Sequence, residues 1–256
     1  MQVIEVEQQD DVSLIRLARP PANALNPALV QALIAAIADA PASGARGIAL
    51  SGAPGLFSAG LDLPELLTLD RDAITVFWSD FVGLMRAMAD SPIPVAAAIT
   101  GHSPAGGAVL ALCCDYRVMA EGSFRIGLNE VRVGLPLPVI LYDALTHVVG
   151  PRRAALLGVE GRLLDPAQAL ATGFVDELAP PEAVEAKALG WLNGVLTLPP
   201  AAYSATRAHA RASLREAFAD AAAAPAIRAI ADSWFSEETQ ASLKRVVAEL
   251  RVKKKS

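Results

Sequence analysis

An α/β fold closed by a helical C-terminal region is what the chain predicts, on three features of its pattern. Short apolar runs suited to strands alternate with stretches of helical periodicity up to about residue 180. Two glycine-rich turns join such runs to helices, and beyond Pro180 the strand signals fade into alanine-dominated helical pattern.

Residues 12–17 mix apolar and polar side chains as a half-buried strand does, and the turn-forming run Arg19-Pro20-Pro21-Ala22-Asn23 follows. Asn26 reads as a helix cap with Pro27 at the first helical position, which places Leu29, Leu33, Ile34 and Ile37 along one face. Residues 47–50 and 95–100 read as buried strands separated by a helix over 71–89. Past Pro180, residues 183–196, 201–223 and 237–252 carry helical pattern, and Ala221-Ala222-Ala223-Ala224 before Pro225 reads as a helix ending at a breaker. The expected division is an α/β core over 1–195 and a helical subdomain over 196–256.

The 256 residues carry 22 basic and 27 acidic side chains, a net charge of −5, with 53% hydrophobic residues. A chain of this size builds a sizeable core without metal or disulfide staples. Cys113 and Cys114 are sequence neighbours, so they supply neither a disulfide framework nor the spaced pairs of a zinc site. No run approaches the ~18 apolar residues of a membrane span, and no leader pattern opens the chain, so a cytoplasmic location is expected. Three of the five lysines crowd into Lys253-Lys254-Lys255, which disfavours extended contact with nucleic acid.

The first glycine-rich turn runs from Ser51 to Glu65. Asp62, Pro64 and Glu65 read as a capping box, Ser58, Ala59 and Gly60 are small, and the N–H of Leu61 falls just before a helix start. In the second, Gly101-His102-Ser103-Pro104-Ala105-Gly106-Gly107, Ser103 reads as a cap and Pro104 as the first helical residue before a helix over 108–114. That leaves Gly106 in the first turn, where N–H groups lack intrahelical partners, unless Ser103 takes that N–H itself. Both turns therefore offer anion donors, although ordinary strand-to-helix connections use glycine as well. Neither matches a dinucleotide fingerprint or a P-loop.

The same second turn nearly spells the nucleophile elbow of a serine hydrolase, with Asp143, His147, Asp176 and His209 downstream. Pro104, directly after Ser103, has no N–H to give to an oxyanion, which counts against that chemistry. His102, His147 and His209 show no metal-ligand spacing and read as structural. Between Ile126 and Pro138 the chain is mostly apolar around one acid, Glu130. In an extended segment it would share a side with Ile126 and Leu128, and desolvation would raise its pKa toward that of a general base. A solvated glutamate paired with Arg132 is the alternative.

Phe57-Ser58-Ala59-Gly60-Leu61-Asp62-Leu63, Pro94 to Gly101 leading into Pro104-Ala105-Gly106-Gly107, and Cys114-Asp115-Tyr116-Arg117 resemble the crotonase superfamily over nearly the whole chain. Pro104-Ala105-Gly106-Gly107 and Ile126-Gly127-Leu128-Asn129-Glu130 are most similar to the mitochondrial-type enoyl-CoA delta isomerases. The resemblance implies a crotonase-like β-β-α spiral core with a helical C-terminal region, a homotrimer or dimer of trimers, and an acyl-CoA thioester substrate of fatty-acid β-oxidation. It implies no metal, and no cofactor beyond the coenzyme A of the substrate. It places the two oxyanion N–H donors at Leu61 and Gly106, the catalytic acid at Glu130, and substrate-lining positions at Ala59, Gly60, Leu61, Asp62, Leu63, Gly106 and Asn129. Enoyl-CoA hydratases carry a second glutamate where Val109 stands here, so the implied activity is isomerisation, with hydratase as the alternative. Arg19 is a candidate for the CoA phosphates. An RNA-binding crotonase-like protein would need a basic stripe that the charge balance does not supply.

Overall fold

The structure, a computed structural model, describes residues 2–253; Lys254 and Lys255 of the basic tail lie outside them. Strands β1 (Ile4–Gln9) and β2 (Val12–Leu17) form an antiparallel hairpin. From β2 onward a sheet grows by parallel pairing through β3 (Gly47–Ser51), β5 (Val95–Ile99), β7 (Tyr116–Ala120) and β9 (Glu177–Ala179). The intervening strands β4 (Gly55–Leu56), β6 (Gly101–Pro104) and β8 (Ile126–Gly127) leave it at once and stack in parallel as a second, small sheet in the order β4-β6-β8. Each coil of chain thus lays one strand in each sheet before a helix returns it, and the α/β spiral implied by the resemblance is the observed architecture.

Helices α1 (Pro27–Ala42), α2 (Leu63–Leu66), α3 (Arg71–Asp90) and α4 (Gly106–Leu112) fill the early returns. Asn26 caps α1 by accepting from the Leu29 N–H, and Pro27 occupies its first turn, as the sequence predicts. β2 differs from its reading as a half-buried strand: it is buried on both faces. Ile15 and Leu17 face the main core with Leu50, Ile99 and Met119, whereas Val12 and Leu14 join Ala49, Ala96, Ala98 and Val118 under α8 (Val184–Val195), whose Val184, Ala188 and Leu192 cover that face. A strand with a core on each face has no solvent side, so its alternation signal is lost.

After β8 come a 3₁₀ turn (Glu130–Val133), α5 (Val139–Val149), α6 (Pro151–Glu160) and α7 (Pro166–Thr172). Beyond α8, the helix expected over 201–223 is in fact three: α9 (Pro200–Ala210), α10 (Ala212–Ala217) and the start of α11 (Asp220–Trp234). Pro225 does not end a helix; it lies inside α11, in the stretch where only the Ala221 carbonyl loses an N–H partner. α12 (Glu237–Lys253) closes the described chain. These helices fold back onto the core, and one anchor is ionic: Asp115, at the entry to β7, accepts from Arg207 of α9 at 2.8 and 2.9 Å and pairs with Arg211 at 3.0 Å. Arg211 also donates to the carbonyls of Met88 and Cys113 at the ends of α3 and α4. Removing one partner would strand buried charge, so the latch holds as a unit.

Among the described residues no helix is long and apolar enough to cross a membrane, and no group of His, Cys, Asp and Glu is arranged to hold a metal. Cys113 and Cys114 are free and buried, and burial pushes the Cys113 thiol up to about 12.

Candidate active site

The small sheet organises the site. Its three parallel strands run side by side, and the chain leaves β4 toward Leu61, β6 toward Gly106 and β8 toward Glu130. Adjacent strands lie about 4.8 Å apart, so groups placed just beyond their ends are brought within reach of one small molecule. Leu61, Gly106 and Glu130 do line one cavity, with Trp78, Phe81 and Val109.

Backbone contact fixes the two turns against each other. A Cβ on Gly60 would lie 3.2 Å from the Gly106 nitrogen and 3.1 Å from the Pro104 carbonyl oxygen, so the peptides preceding Leu61 and Gly106 are neighbours. Neither the Leu61 N–H nor the Gly106 N–H donates a hydrogen bond among the described residues. The flanking groups are used: Leu25 donates to the Gly60 carbonyl at 2.7 Å, Asp62 N–H to the Leu25 carbonyl at 2.9 Å, and Ala105 N–H to the Gly127 carbonyl at 2.8 Å. Two free donors therefore sit in otherwise satisfied backbone, beside a cavity.

The second turn is not built as the sequence suggests. Ser103 and Pro104 are the last residues of β6, and Ala105, at φ 48° and ψ −119°, is the cap of α4, which starts at Gly106 and ends at Leu112 instead of spanning 108–114. That backbone conformation is costly for alanine, of order 1–3 kcal/mol, and it sets the plane of the peptide that carries the Gly106 N–H. Ser103 consequently does not compete for that N–H. Its buried hydroxyl finds no hydrogen-bond partner among the described residues and faces Gly107, where a Cβ would come within 2.9 Å. The serine-hydrolase arrangement is absent: His102 packs edge-on against Phe124, His147 shares a hydrogen bond with Ser213 at 2.9 Å, and His209 is exposed on α9.

The first turn is tied down from the 19–26 loop. Asn23 donates to the Phe57 carbonyl, and Ser58 donates to the Asn23 carbonyl at 2.7 Å. Asp62 caps α2 by accepting from Glu65 N–H at 3.1 Å, but the expected capping box is only half made, because the Glu65 carboxylate turns to Asn26 and Arg19. Arg19 in turn pairs with Asp62 at 2.7 Å and donates to the Ala24 carbonyl, so it braces this loop and its charge is already matched. Of the substrate-lining positions, Leu61 and Gly106 border the cavity, while Ala59 is exposed, Gly60 forms the contact between the turns, and Leu63 packs partly buried against the core. Asp62 is spent on structure.

Glu130 is not in an extended segment. It opens the 3₁₀ turn after Asn129, and Arg132 turns away from it to donate to the Gly161 carbonyl at 2.7 Å. Its Oε2 and the neighbouring Asn129 Oδ1 are buried without a protein hydrogen-bond partner among the described residues. Burial pushes the carboxyl up from 4.5 to about 7, its own backbone N–H offsetting a part. An acid in this position is half ionised near neutrality, as a general base requires. What sequence reasoning missed is the support: Thr239 of α12, itself buried, donates to the Gly134 carbonyl at 2.8 Å, and Ser242 lies where a Cβ on Gly134 would come within 2.6 Å. Gly134, at φ 78°, ends the 3₁₀ turn, so α12 grips the segment carrying the acid. Only tertiary packing brings residue 239 near residue 130, and no local signal marks it.

Known proteins resemble the chain in both sequence and fold. The profile of the family described as Enoyl-CoA hydratase/isomerase matches residues 7–248. The chain is 36% identical to mouse mitochondrial enoyl-CoA delta isomerase 1 over 77% of its own length and 69% of that protein, and 33% identical to the human protein over 82% and 70%. A probable enoyl-CoA hydratase of Mycobacterium bovis is 32% identical over 80% of the chain and 79% of that protein. The crystal structure of human mitochondrial delta3-delta2-enoyl-CoA isomerase superposes with a TM-score of 0.94 at 29% identity, covering 99% of this chain and all of the human one. With two free N–H donors and one buried carboxylate on successive coils of such a spiral, the chain belongs to the enoyl-CoA hydratase/isomerase family, the crotonase superfamily.

Proposed function

We propose that the site converts β,γ-enoyl-CoA thioesters into their conjugated α,β isomers. The Leu61 and Gly106 N–H groups hold the thioester oxygen and stabilise the charge that grows there. The Glu130 carboxylate removes a proton from the carbon beside the thioester, the electrons moving onto the oxygen as a dienolate. The resulting carboxylic acid returns a proton to the γ-carbon, and the double bond comes into conjugation. One acid suffices for both steps because the two carbons are two bonds apart along the substrate.

The observation that carries this reading is the single carboxylate. Of the residues lining the cavity only Glu130 is charged, and Val109, 1% exposed, fills the wall where a hydratase carries its second acid. Water has no second carboxylate to position and activate it there. The deciding experiment supplies purified protein with a β,γ-enoyl-CoA and, separately, an α,β-enoyl-CoA. Gain of conjugation from the first with little loss from the second is expected; rapid loss of conjugation from the second would make the enzyme a hydratase. The homotrimeric or trimer-dimer assembly, the cytoplasmic location and a role in fatty-acid β-oxidation belong to the same reading, and light scattering on the purified protein tests the assembly.

A further inference from the structure

We propose that Trp78 sets the acyl-chain length this enzyme accepts, limiting it to short- and medium-chain thioesters with plain hydrocarbon tails. The proposal rests on the isomerase reading and names its substrate class. Burial divides the cavity wall into a rim and a floor. Leu61, Ser233 and Glu130 are half-buried, Glu130 with its Oε2 covered, and Pro136 is exposed, whereas Trp78, Phe81, Val109, Leu135, Leu141 and Ile230 are between 1% and 7% exposed. A thioester held by the Leu61 and Gly106 donors sends its tail toward the floor. Nothing on the floor is charged, so a polar or branched acidic tail would be desolvated there without a partner.

Trp78 is the largest side chain on that floor and is not free to swing aside. Its indole meets Phe77 edge-on at 5.5 Å, Phe81 at 5.7 Å and Trp234 at 6.0 Å, and Trp234 is fully buried behind it. The indole Nε1 is buried without a hydrogen-bond partner among the described residues, an unfavourable arrangement that phenylalanine or leucine would avoid. The indole thus adds bulk to the cavity wall at a cost to core stability, which fits a side chain that sets where the cavity ends.

The test follows conjugation of β,γ-hexenoyl-, octenoyl-, dodecenoyl- and hexadecenoyl-CoA by the wild type and by Trp78→Leu. In the wild type kcat/KM peaks at octenoyl or shorter and is lower by about tenfold or more at hexadecenoyl, since each methylene that finds no room forgoes the roughly fourfold gain of burial. In Trp78→Leu the dodecenoyl-to-hexenoyl ratio rises by about tenfold. Trp78→Phe, which keeps a ring in the cluster, moves the ratio the same way by less and serves if the leucine variant does not fold. A wild type that prefers hexadecenoyl-CoA, or an unchanged ratio in a folded variant, overturns the proposal. Calorimetric affinities for saturated acyl-CoAs of the same lengths report the limit independently of turnover. Absence of conjugation at every length, with the affinity limit intact, would overturn the isomerase reading alone.

Discussion

The two sides of the site are held by different means. The donor side is backbone against backbone: Gly60 meets the 104–106 peptides, and at Gly101 a Cβ would fall within 2.0 Å of the Gly55 carbonyl carbon. The acid side is a side chain on a short 3₁₀ turn, kept in place by the Thr239 bond and kept half-protonated by apolar surroundings. Backbone donors cannot be deleted by exchanging a side chain, only displaced by crowding. The acid can be removed, retuned or loosened one residue at a time, and graded effects are expected on that side alone.

The largest effect is expected from Gly101→Ala. Its methyl has no space between β4 and β6, and both strands are backbone there, so the fold should lose more than about 4 kcal/mol and the soluble yield should collapse. Retention of the wild-type melting temperature would show that the donor side is softer than described. Glu130→Gln should fold and lose about 10²–10⁴ in turnover, measured as conjugation of a β,γ-enoyl-CoA.

The same acid governs pH. With a folded-state value of about 7 against an ordinary 4.5, wild-type kcat/KM should climb about tenfold per pH unit below 7 and level above it. Stability runs the other way: it is fully present below about 4.5 and declines as pH rises toward 7, by at most about 3 kcal/mol, because the folded chain resists ionising this group. Denaturant titrations should therefore show Glu130→Gln gaining on the wild type across that interval and holding its lead beyond it.

Smaller changes probe the surroundings. Val109→Glu should raise hydration of an α,β-enoyl-CoA relative to isomerisation, and its charge should move the midpoint of any residual Glu130 pH profile upward. An unchanged product ratio would assign specificity elsewhere in the wall. Thr239→Val leaves the Gly134 carbonyl without its donor, at about 1–3 kcal/mol, and should lower kcat severalfold with less change in KM, while Thr239→Ser restores both.

Much of this was readable from the chain, unevenly. Asn26 with Pro27, the strands at 47 and 95 and the helix from 71 announce themselves because capping and apolar runs are local. Strands β4 and β8, two residues each, carry no period, and without them the spiral itself is invisible except through family resemblance. Leu61, Gly106 and Glu130 each stand out in the sequence on their own, as helix-start donors or as an acid among apolar residues. Their convergence is implied only by the family resemblance, because it depends on parallel pairing across 46 residues of chain between β4 and β6 and 23 between β6 and β8. The turn at Ser103-Pro104 misled for a physical reason: serine followed by proline is the usual entrance to a helix, and here it ends a strand because Ala105 takes the strained conformation. Trp78 and Thr239 belong to helices whose sequences speak only of burial.

Because each reacting group hangs from its own rung of the β4-β6-β8 ladder, the ladder acts as a rack with separately addressable slots. A change of residue beyond one rung alters what the molecule does to a thioester without disturbing how the neighbouring rungs grasp it. On the proposed function, new reactions on this scaffold would be reached by refitting the third slot or the wall opposite it, while the first two go on gripping the same oxygen.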